Sequence, residues 1–169
     1  MKILLNLRAA LLLVMIVILS LVSAYYNFSI ENDTKDILKA NYNTLDYSGN
    51  MLLSLDKMNS DKENAILLFQ NNLTRQMENI TEVGEQKVTY DLQVNFDALK
   101  SNWNDENLKS KIRQDIFHII KLNMAAIKKK SDIVTHTTEK ANFWIAILGA
   151  LCFLIAFNLI LKLFSNKQK

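Results

Sequence analysis

The chain has 169 residues, no proline, three glycines and one cysteine, and its formal net charge is +3. So few glycines, with no proline, leave it short of the turn residues that β-hairpins need, and a lone cysteine has no partner in the chain for a disulfide. The composition therefore excludes a β-rich or disulfide-stabilised protein and indicates an almost entirely helical one.

Two long apolar runs stand near the ends of the chain, at residues 9–26 and 141–161. An apolar helix of about 20 residues matches the roughly 30 Å hydrocarbon core of a bilayer. We therefore predict two transmembrane helices, which flank a polar extracytoplasmic domain at residues 27–140. Asn158 is a polar residue inside the second run, and we expect it to bond another helix.

The charges beside the two runs predict the orientation of the chain. Every charged residue outside 27–140 is basic, and these residues are Lys2, Arg8, Lys162, Lys167 and Lys169. Because the cytoplasmic flanks of membrane helices collect Lys and Arg, we expect residues 1–8 and the tail 162–169 to be cytoplasmic. The protein is then a multi-pass membrane protein with both termini inside.

The first run has an alternative interpretation as a cleaved signal peptide. A basic start precedes it, and Val22-Ser23-Ala24 lies where signal peptidase could cut. The run is long for a signal, and no helix breaker precedes the site, which favours an uncleaved anchor. Cleavage would leave a protein anchored only by its C-terminal helix.

Apolar residues spaced by three and four predict four helices. The first continues out of the first span to about Asn59, and Ser60 with Glu63 forms a capping box that opens the second. The third covers about residues 82–102, and Asn104 is the expected cap of the last, which continues into the second span. The predicted core residues are Ile30, Ile37, Met51 and Met58 in the first helix, Ile66, Phe69, Leu73, Met77 and Ile80 in the second, Val88, Leu92, Phe96, Leu99 and Trp103 in the third, and Ile112, Ile116, Ile119, Ala126 and Ile133 in the fourth.

Four amphipathic helices joined by short turns predict an all-α fold, in which two transmembrane helices flank an antiparallel up-down-up-down four-helix bundle. The first and fourth helices are longer than the second and third, so the part nearest the membrane should contain only these two. Their exposed apolar faces favour a homodimer, in which a second copy covers them.

Two asparagines interrupt the apolar core positions. We expect Asn41 in the first helix and Asn123 in the fourth at a similar height, level with the turn between the second and third helices. We interpret them as buried polar residues that fix the register of the helices, as asparagines do in coiled coils. A contact with an unknown ligand and simple exposure to solvent are the alternatives.

Residues suited to catalysis or metal binding are few. His118, His136 and Cys152 are too few to supply the usual ligands of a metal site, and the acidic residues are dispersed along the helix faces. We expect no catalytic residue, no metal, no cofactor and no enzymatic activity.

Three segments carry a resemblance: NTLDYSGNMLLSLD at 43–56, ENITEVGEQ at 78–86 and KLNMAAIKKKSD at 121–132. Together with the two flanking spans, they resemble the exported four-helix sensor domain of bacterial two-component sensor histidine kinases. They are also similar to the related input bundle of methyl-accepting chemotaxis receptors. The resemblance implies a bacterial inner membrane, a periplasmic domain, a parallel homodimer, and signalling through the second span to a HAMP linker and a kinase.

The sequence departs from that family on the cytoplasmic side. HAMP linkers begin with a proline-containing helix, whereas this chain has no proline and ends shortly after its second span. It also lacks a phosphoacceptor box and glycine-rich ATP-binding boxes. We therefore expect a sensory input module that lacks HAMP and kinase, with a HAMP and kinase as its output partner, whether on a separate chain or in a longer form of this one. The alternatives are a membrane scaffold or interaction protein and a fragment of a chemotaxis receptor. Membrane lipid and a second copy are the other expected partners, and nucleic acid is not expected to be one.

We predict that a reporter active only in the cytoplasm works when it is fused after Lys169 and fails when it is fused near Gly84, because the basic flanks keep both termini inside. A reporter that needs export should give the opposite pattern. N-terminal sequencing of the mature protein is the control. A mature N-terminus at Tyr25, or the reverse fusion pattern, would contradict the two-span arrangement.

Overall fold

The computed structural model describes the backbone of residues 2–167 and the side chains of residues 7–30 and 38–165. It contains four helices, α1 (Lys2–Lys57), α2 (Lys62–Met77), α3 (Glu85–Ser101) and α4 (Glu106–Lys167). Strands are absent from this described part of the chain, so the prediction of an all-α protein is confirmed. The predicted core position Ile37, and the ends of the predicted cytoplasmic segments 1–8 and 162–169, lie outside the described residues.

The chain divides into two compact units. The first, which we call the apolar unit, consists of Met1–Asp33 and Asp132–Lys169, and the second, which we call the central unit, consists of Thr34–Ser131. Within the first, Leu7–Ile30 of α1 is long and apolar enough to cross a membrane, and so is part of the segment Glu106–Ser165 of α4. The described residues therefore contain two candidate membrane-spanning helices, as the apolar runs predicted.

A hydrogen bond joins these two candidate spans within the apolar unit. The guanidinium Nη1 of Arg8 donates to the Oδ1 atom of Asn158 at 2.9 Å. The expectation that Asn158 bonds another helix is therefore confirmed. Aromatic rings also pair edge to face inside each segment, Tyr25 with Tyr26 and Phe143 with Trp144.

The central unit has one hydrophobic core, to which all four helices contribute. Near its middle the rings of Phe69 and Phe96 stack with their centroids 4.0 Å apart. The buried apolar residues are Met51, Leu55 and Met58 at the end of α1, Ala65, Phe69 and Leu73 in α2, Val88, Leu92, Phe96 and Leu99 in α3, and Ile112, Ile116 and Ile119 in α4. Spacing of three and four along each helix brings these side chains to a single face.

The predicted core is wrong at two positions. Met77 is 46 % exposed, because the buried stripe of α2 continues through Gln76, seven residues after Phe69, and not through its neighbour. Ile133 is 41 % exposed. It belongs to the apolar unit, where α4 no longer packs in the core described above.

The predicted capping box of α2 is also wrong. The residue that caps this helix is Asp61, whose side chain accepts from the backbone N–H of Asn64 at 3.4 Å. Ser60 lies one residue too early, and its hydroxyl donates to the backbone oxygen of Lys57 at 3.1 Å. A carboxylate is favoured at a helix N-terminus because the helix dipole adds to the hydrogen bond.

A similar shift of one residue occurs at the start of α4. Asp105 Oδ1 accepts from the backbone N–H groups of Asn107 at 2.9 Å and of Leu108 at 3.1 Å. Asn104, the predicted cap, is exposed. At both helices the available carboxylate takes the cap position from the neutral side chain that precedes it.

We predict that Asp61→Ala lowers the free energy of unfolding by about 1 kcal/mol, because the first turn of α2 loses both its side-chain acceptor and a favourable charge. Ser60→Ala is the matched control, and it should cost only a few tenths of that, because its hydroxyl is exposed. Urea denaturation of the full chain in detergent, followed by circular dichroism, measures both. A larger loss for the serine variant would instead support the predicted capping box of Ser60 and Glu63.

Candidate functional site

The two asparagines singled out in the sequence lie together inside the central unit. Asn41 and Asn123 are both 0 % exposed. The side-chain Nδ2 of Asn41 donates to the backbone oxygen of Asn123 at 3.4 Å, and the Nδ2 of Asn123 also donates to the backbone oxygen of Ile119 at 3.0 Å. The structure thus brings the two residues into contact. A role for either in binding a ligand stays a prediction.

The centre of this polar region is a residue that the sequence did not reveal. Glu85, the first residue of α3, is 0 % exposed. Its Oε1 accepts from Gln76 Nε2 at 2.8 Å and from Asn123 Nδ2 at 2.7 Å. Its Oε2 accepts from the backbone N–H groups of Thr81 at 2.9 Å and of Glu82 at 3.0 Å. One buried carboxyl group is therefore surrounded by four N–H donors.

The local sequence explains why a carboxylate can be buried here. An ionised carboxylate only accepts hydrogen bonds, so four N–H donors suit it well, and without them its burial would be strongly unfavourable. Gly84 precedes it with a φ of 88°, in the left-handed region that glycine adopts without strain. The turn that this allows folds back so that its N–H groups point at Glu85. The dipole of α3 also favours a negative charge in its first turn.

The same turn is bonded to α1. Asn79 Nδ2 donates to the backbone oxygen of Ala40 at 2.7 Å and to Thr44 Oγ1 at 2.9 Å. Asn41 Nδ2 donates to Glu82 Oε1 at 3.0 Å. The turn between α2 and α3 therefore binds α1 on one side and, through Glu85, α4 on the other. We call this group the Glu85 network, and its members are Asn41, Thr44, Gln76, Asn79, Thr81, Glu82, Glu85 and Asn123.

Some acceptors of this region remain unpaired. Among the described side chains, Asn41 Oδ1, Gln76 Oε1 and Asn123 Oδ1 are buried without a hydrogen-bond partner, as are the hydroxyls of Ser48 and Thr89. The three amides turn their N–H groups towards carboxylates, which points their oxygens elsewhere. Buried polar atoms without partners are unfavourable. The unpaired atoms therefore reduce stability, and a role of the Glu85 network in fixing the register of the helices, as polar core residues have in coiled coils, stays a prediction.

Sequence reasoning missed Glu85 and Gln76 because it followed apolar residues only. Both nevertheless continue an apolar stripe at helical spacing. Glu85 precedes Val88 and Leu92 by three and seven residues, and Gln76 follows Phe69 by seven. Gly84, beside Glu85, was a second signal. The third helix was also predicted to start near residue 82, whereas it starts at Glu85, because the preceding residues form the turn that donates to this carboxylate.

Two carboxyl groups outside the Glu85 network have shifted pKa values. Burial raises the pKa of Asp115, and a hydrogen bond from Asn95 Nδ2 at 2.7 Å partly opposes that shift. A hydrogen bond from the Lys100 ammonium lowers the pKa of Asp97. Asp115 lies on α4, where it faces Asn95 of α3, and Asp97 lies on the exposed side of α3.

The side chains that could bind a metal ion are dispersed in the described part of the chain. His136 is exposed, with its Nδ1 atom 3.7 Å from a carboxylate oxygen of Glu139. No group of three or more His, Cys, Asp or Glu side chains within the described part of the chain could hold a metal ion. Comparison of the chain with protein-family models, with curated proteins and with solved structures gave no match.

We predict that Glu85→Gln lowers the free energy of unfolding by about 2–3 kcal/mol, because an amide NH₂ group replaces one acceptor oxygen and leaves buried N–H donors unpaired. Glu82→Gln is the matched control, since this half-buried residue keeps an oxygen for Asn41 and should lose less than about 1 kcal/mol. Urea denaturation of the full chain compares them. Equal losses would show that Glu85 is not the centre of the network.

Proposed function

We propose that the chain is a two-span membrane protein whose central unit is the sensory input module of a receptor related to bacterial sensor histidine kinases. One observation carries this proposal. The Glu85 network bonds the α2–α3 turn to both α1 and α4, and each of these helices also contains a segment able to cross a membrane. A change at this turn can therefore act on a helix that reaches the bilayer.

The charge distribution supports the placement of the module. All acidic residues lie between Glu31 and Glu139, and the segments outside them are purely basic next to the candidate spans. By the positive-inside rule, the proposed arrangement has cytoplasmic termini and a central unit on the other side of the membrane. The resemblance to bacterial sensor kinases implies that this membrane is the bacterial inner membrane and that the central unit is periplasmic. The contact of Arg8 with Asn158 favours a first span that is retained, and not cleaved as a signal peptide.

The contacts of the central unit support an antiparallel up-down-up-down bundle. Arg113 of α4 forms an ion pair with Asp56 of α1 at 2.9 Å, whereas Asn123, ten residues further along α4, contacts Asn41, fifteen residues earlier in α1. Later residues of α4 thus contact earlier residues of α1, as in two antiparallel helices. A shared core with short connections between successive helices fits the same topology.

Exposed apolar residues on α1 and α4 support a homodimer. Phe117 and Met124 are 58 % and 52 % exposed and seven residues apart on α4. They follow Arg113, the partner of Asp56 in α1, at helical spacing, so this stripe flanks the seam between the two helices. Tyr42, two heptads before Asp56 in α1, is 55 % exposed. Aromatic and methionine side chains are typical of the buried centre of an interface, and a second copy is the proposed occupant.

The proposed mechanism is a shift or rotation of α4 against α1. Packed helices have discrete arrangements, and small shifts between them carry signals in receptors of this class. A ligand that favours one position of Asn123 relative to Glu85 would bias α4, and the helix would pass the change to an output partner with HAMP and kinase parts. The chain itself is proposed to be non-enzymatic, so it should neither bind ATP nor incorporate phosphate.

We predict that the chain, joined at Leu161 to the HAMP and kinase of a related receptor, gives a membrane-bound dimeric kinase. Insertions of one to three residues at the joint should change the kinase output periodically, because each residue rotates the helix by about 100°. A four-residue insertion is the control, since it completes slightly more than one turn and should return the output close to its original level. Phosphorylation of the kinase in membranes measures the output.

A second pair of variants connects the output to the Glu85 network. Asn123→Ala should change the output of the same chimera, because it removes a donor from Glu85, whereas Lys129→Ala, at an exposed position on a different face of α4 from Phe117 and Met124, should not. An output that ignores both the phase of insertion and removal of the central unit would argue against a sensor. A membrane scaffold or interaction protein would then be the better description.

A further inference from the structure

Arg8 occupies an unusual position for a cation. Its guanidinium lies in a groove of about 290 Å³ between the two candidate spans, where it donates a hydrogen bond to the neutral amide oxygen of Asn158. The remaining walls are apolar, and they are formed by Leu11, Leu151, Leu154 and Ile155. The groove thus combines a charged head with a hydrocarbon lining.

The surrounding sequence offers no anion to this cation. Residues 1–30 and 140–169 contain no Asp or Glu, and the acid of α1 nearest to Arg8 is Glu31, about 35 Å along the helix. A guanidinium has five N–H donors, and a charged group among apolar side chains is stabilised when an anion pairs with it. No Asp or Glu side chain of residues 1–30 or 140–169 can therefore pair with Arg8, and an anion from outside these two segments fits its charge.

We propose that this groove binds one anionic phospholipid. The phosphate accepts a forked pair of hydrogen bonds from the Arg8 guanidinium, and one acyl chain lies along Leu11, Leu151 and Leu154. Basic pockets between membrane helices on the cytoplasmic side bind such head groups. The purely basic flanks favour a lipid with net negative charge over a zwitterionic one. This inference rests on the membrane placement proposed above and is independent of signalling.

The test uses the intact chain, purified in mild detergent and exchanged into nanodiscs of phosphatidylcholine alone or mixed with phosphatidylglycerol. Native mass spectrometry counts the lipids that remain bound after release from the disc. We expect one phosphatidylglycerol per chain, retained in preference to phosphatidylcholine. Arg8→Gln should reduce this preference at least about fivefold, the effect of a single cation at a membrane surface. Lys162→Gln, the matched control, should leave most of it intact.

Two further arms separate a lipid site from simple charge attraction. Leu154→Trp fills the groove but keeps Arg8, and it should also reduce lipid retention, because the acyl chain loses its place. Added inorganic phosphate should not displace the lipid, because it cannot occupy the apolar part. Equal losses for the Arg8 and Lys162 variants, full retention by the Leu154 variant, or displacement by phosphate would each overturn the lipid site. Because retention is measured on the inserted chain, such a result leaves the membrane placement, which the reporter fusions test, standing.

Discussion

The burial of the Glu85 carboxylate constrains the central unit more than any other interaction. A carboxylate in a dry core must receive hydrogen bonds on both oxygens, and here the donors come from the end of α2, from the turn that follows, and from α4. Each donor fixes the position of the element that carries it. Asn41, through Glu82 and the backbone of Asn123, adds α1 to the same set.

Stability and alignment have separate sources in this unit. The stacked rings of Phe69 and Phe96, with the aliphatic residues around them, bury apolar surface without specifying one register, since such side chains tolerate exchange of shape. The Glu85 network has the opposite character. Its unpaired amide oxygens reduce stability, but a shift of α4 by one helical turn would carry Asn123 away from Glu85.

The sequence predicted what depends on periodicity alone. The apolar runs, the helical class and the buried stripes of α3 and α4 follow from spacing, which a single chain displays directly. Positions decided by competition between neighbours were not predictable in this way. Asp61 displaces Ser60 as a cap because its carboxylate accepts from the first turn of α2 and is favoured by the helix dipole. Gln76 displaces Met77 in the core because its amide has a buried partner in α3, the Glu85 carboxylate. Asn41 and Asn123 were found since they interrupt apolar stripes, whereas Glu85 extends a stripe at its end.

The composition of the network also sets how easily α4 could move in the proposed receptor. If α4 shifted so that Asn123 left Glu85, the carboxylate would still accept from Gln76 and from the two backbone N–H groups of the turn. The loss at the carboxylate is therefore one hydrogen bond to a charged group, worth about 1.5–3 kcal/mol, and not the exposure of a bare buried charge. The long hydrogen bond of 3.4 Å from Asn41 to the backbone oxygen of Asn123 would be lost with it. Coupling free energies between sites in allosteric proteins are typically about 1–3 kcal/mol. A ligand at the α2–α3 turn could thus provide enough differential affinity to change the position of α4, whereas an ion pair at the same place would hold the helix too firmly.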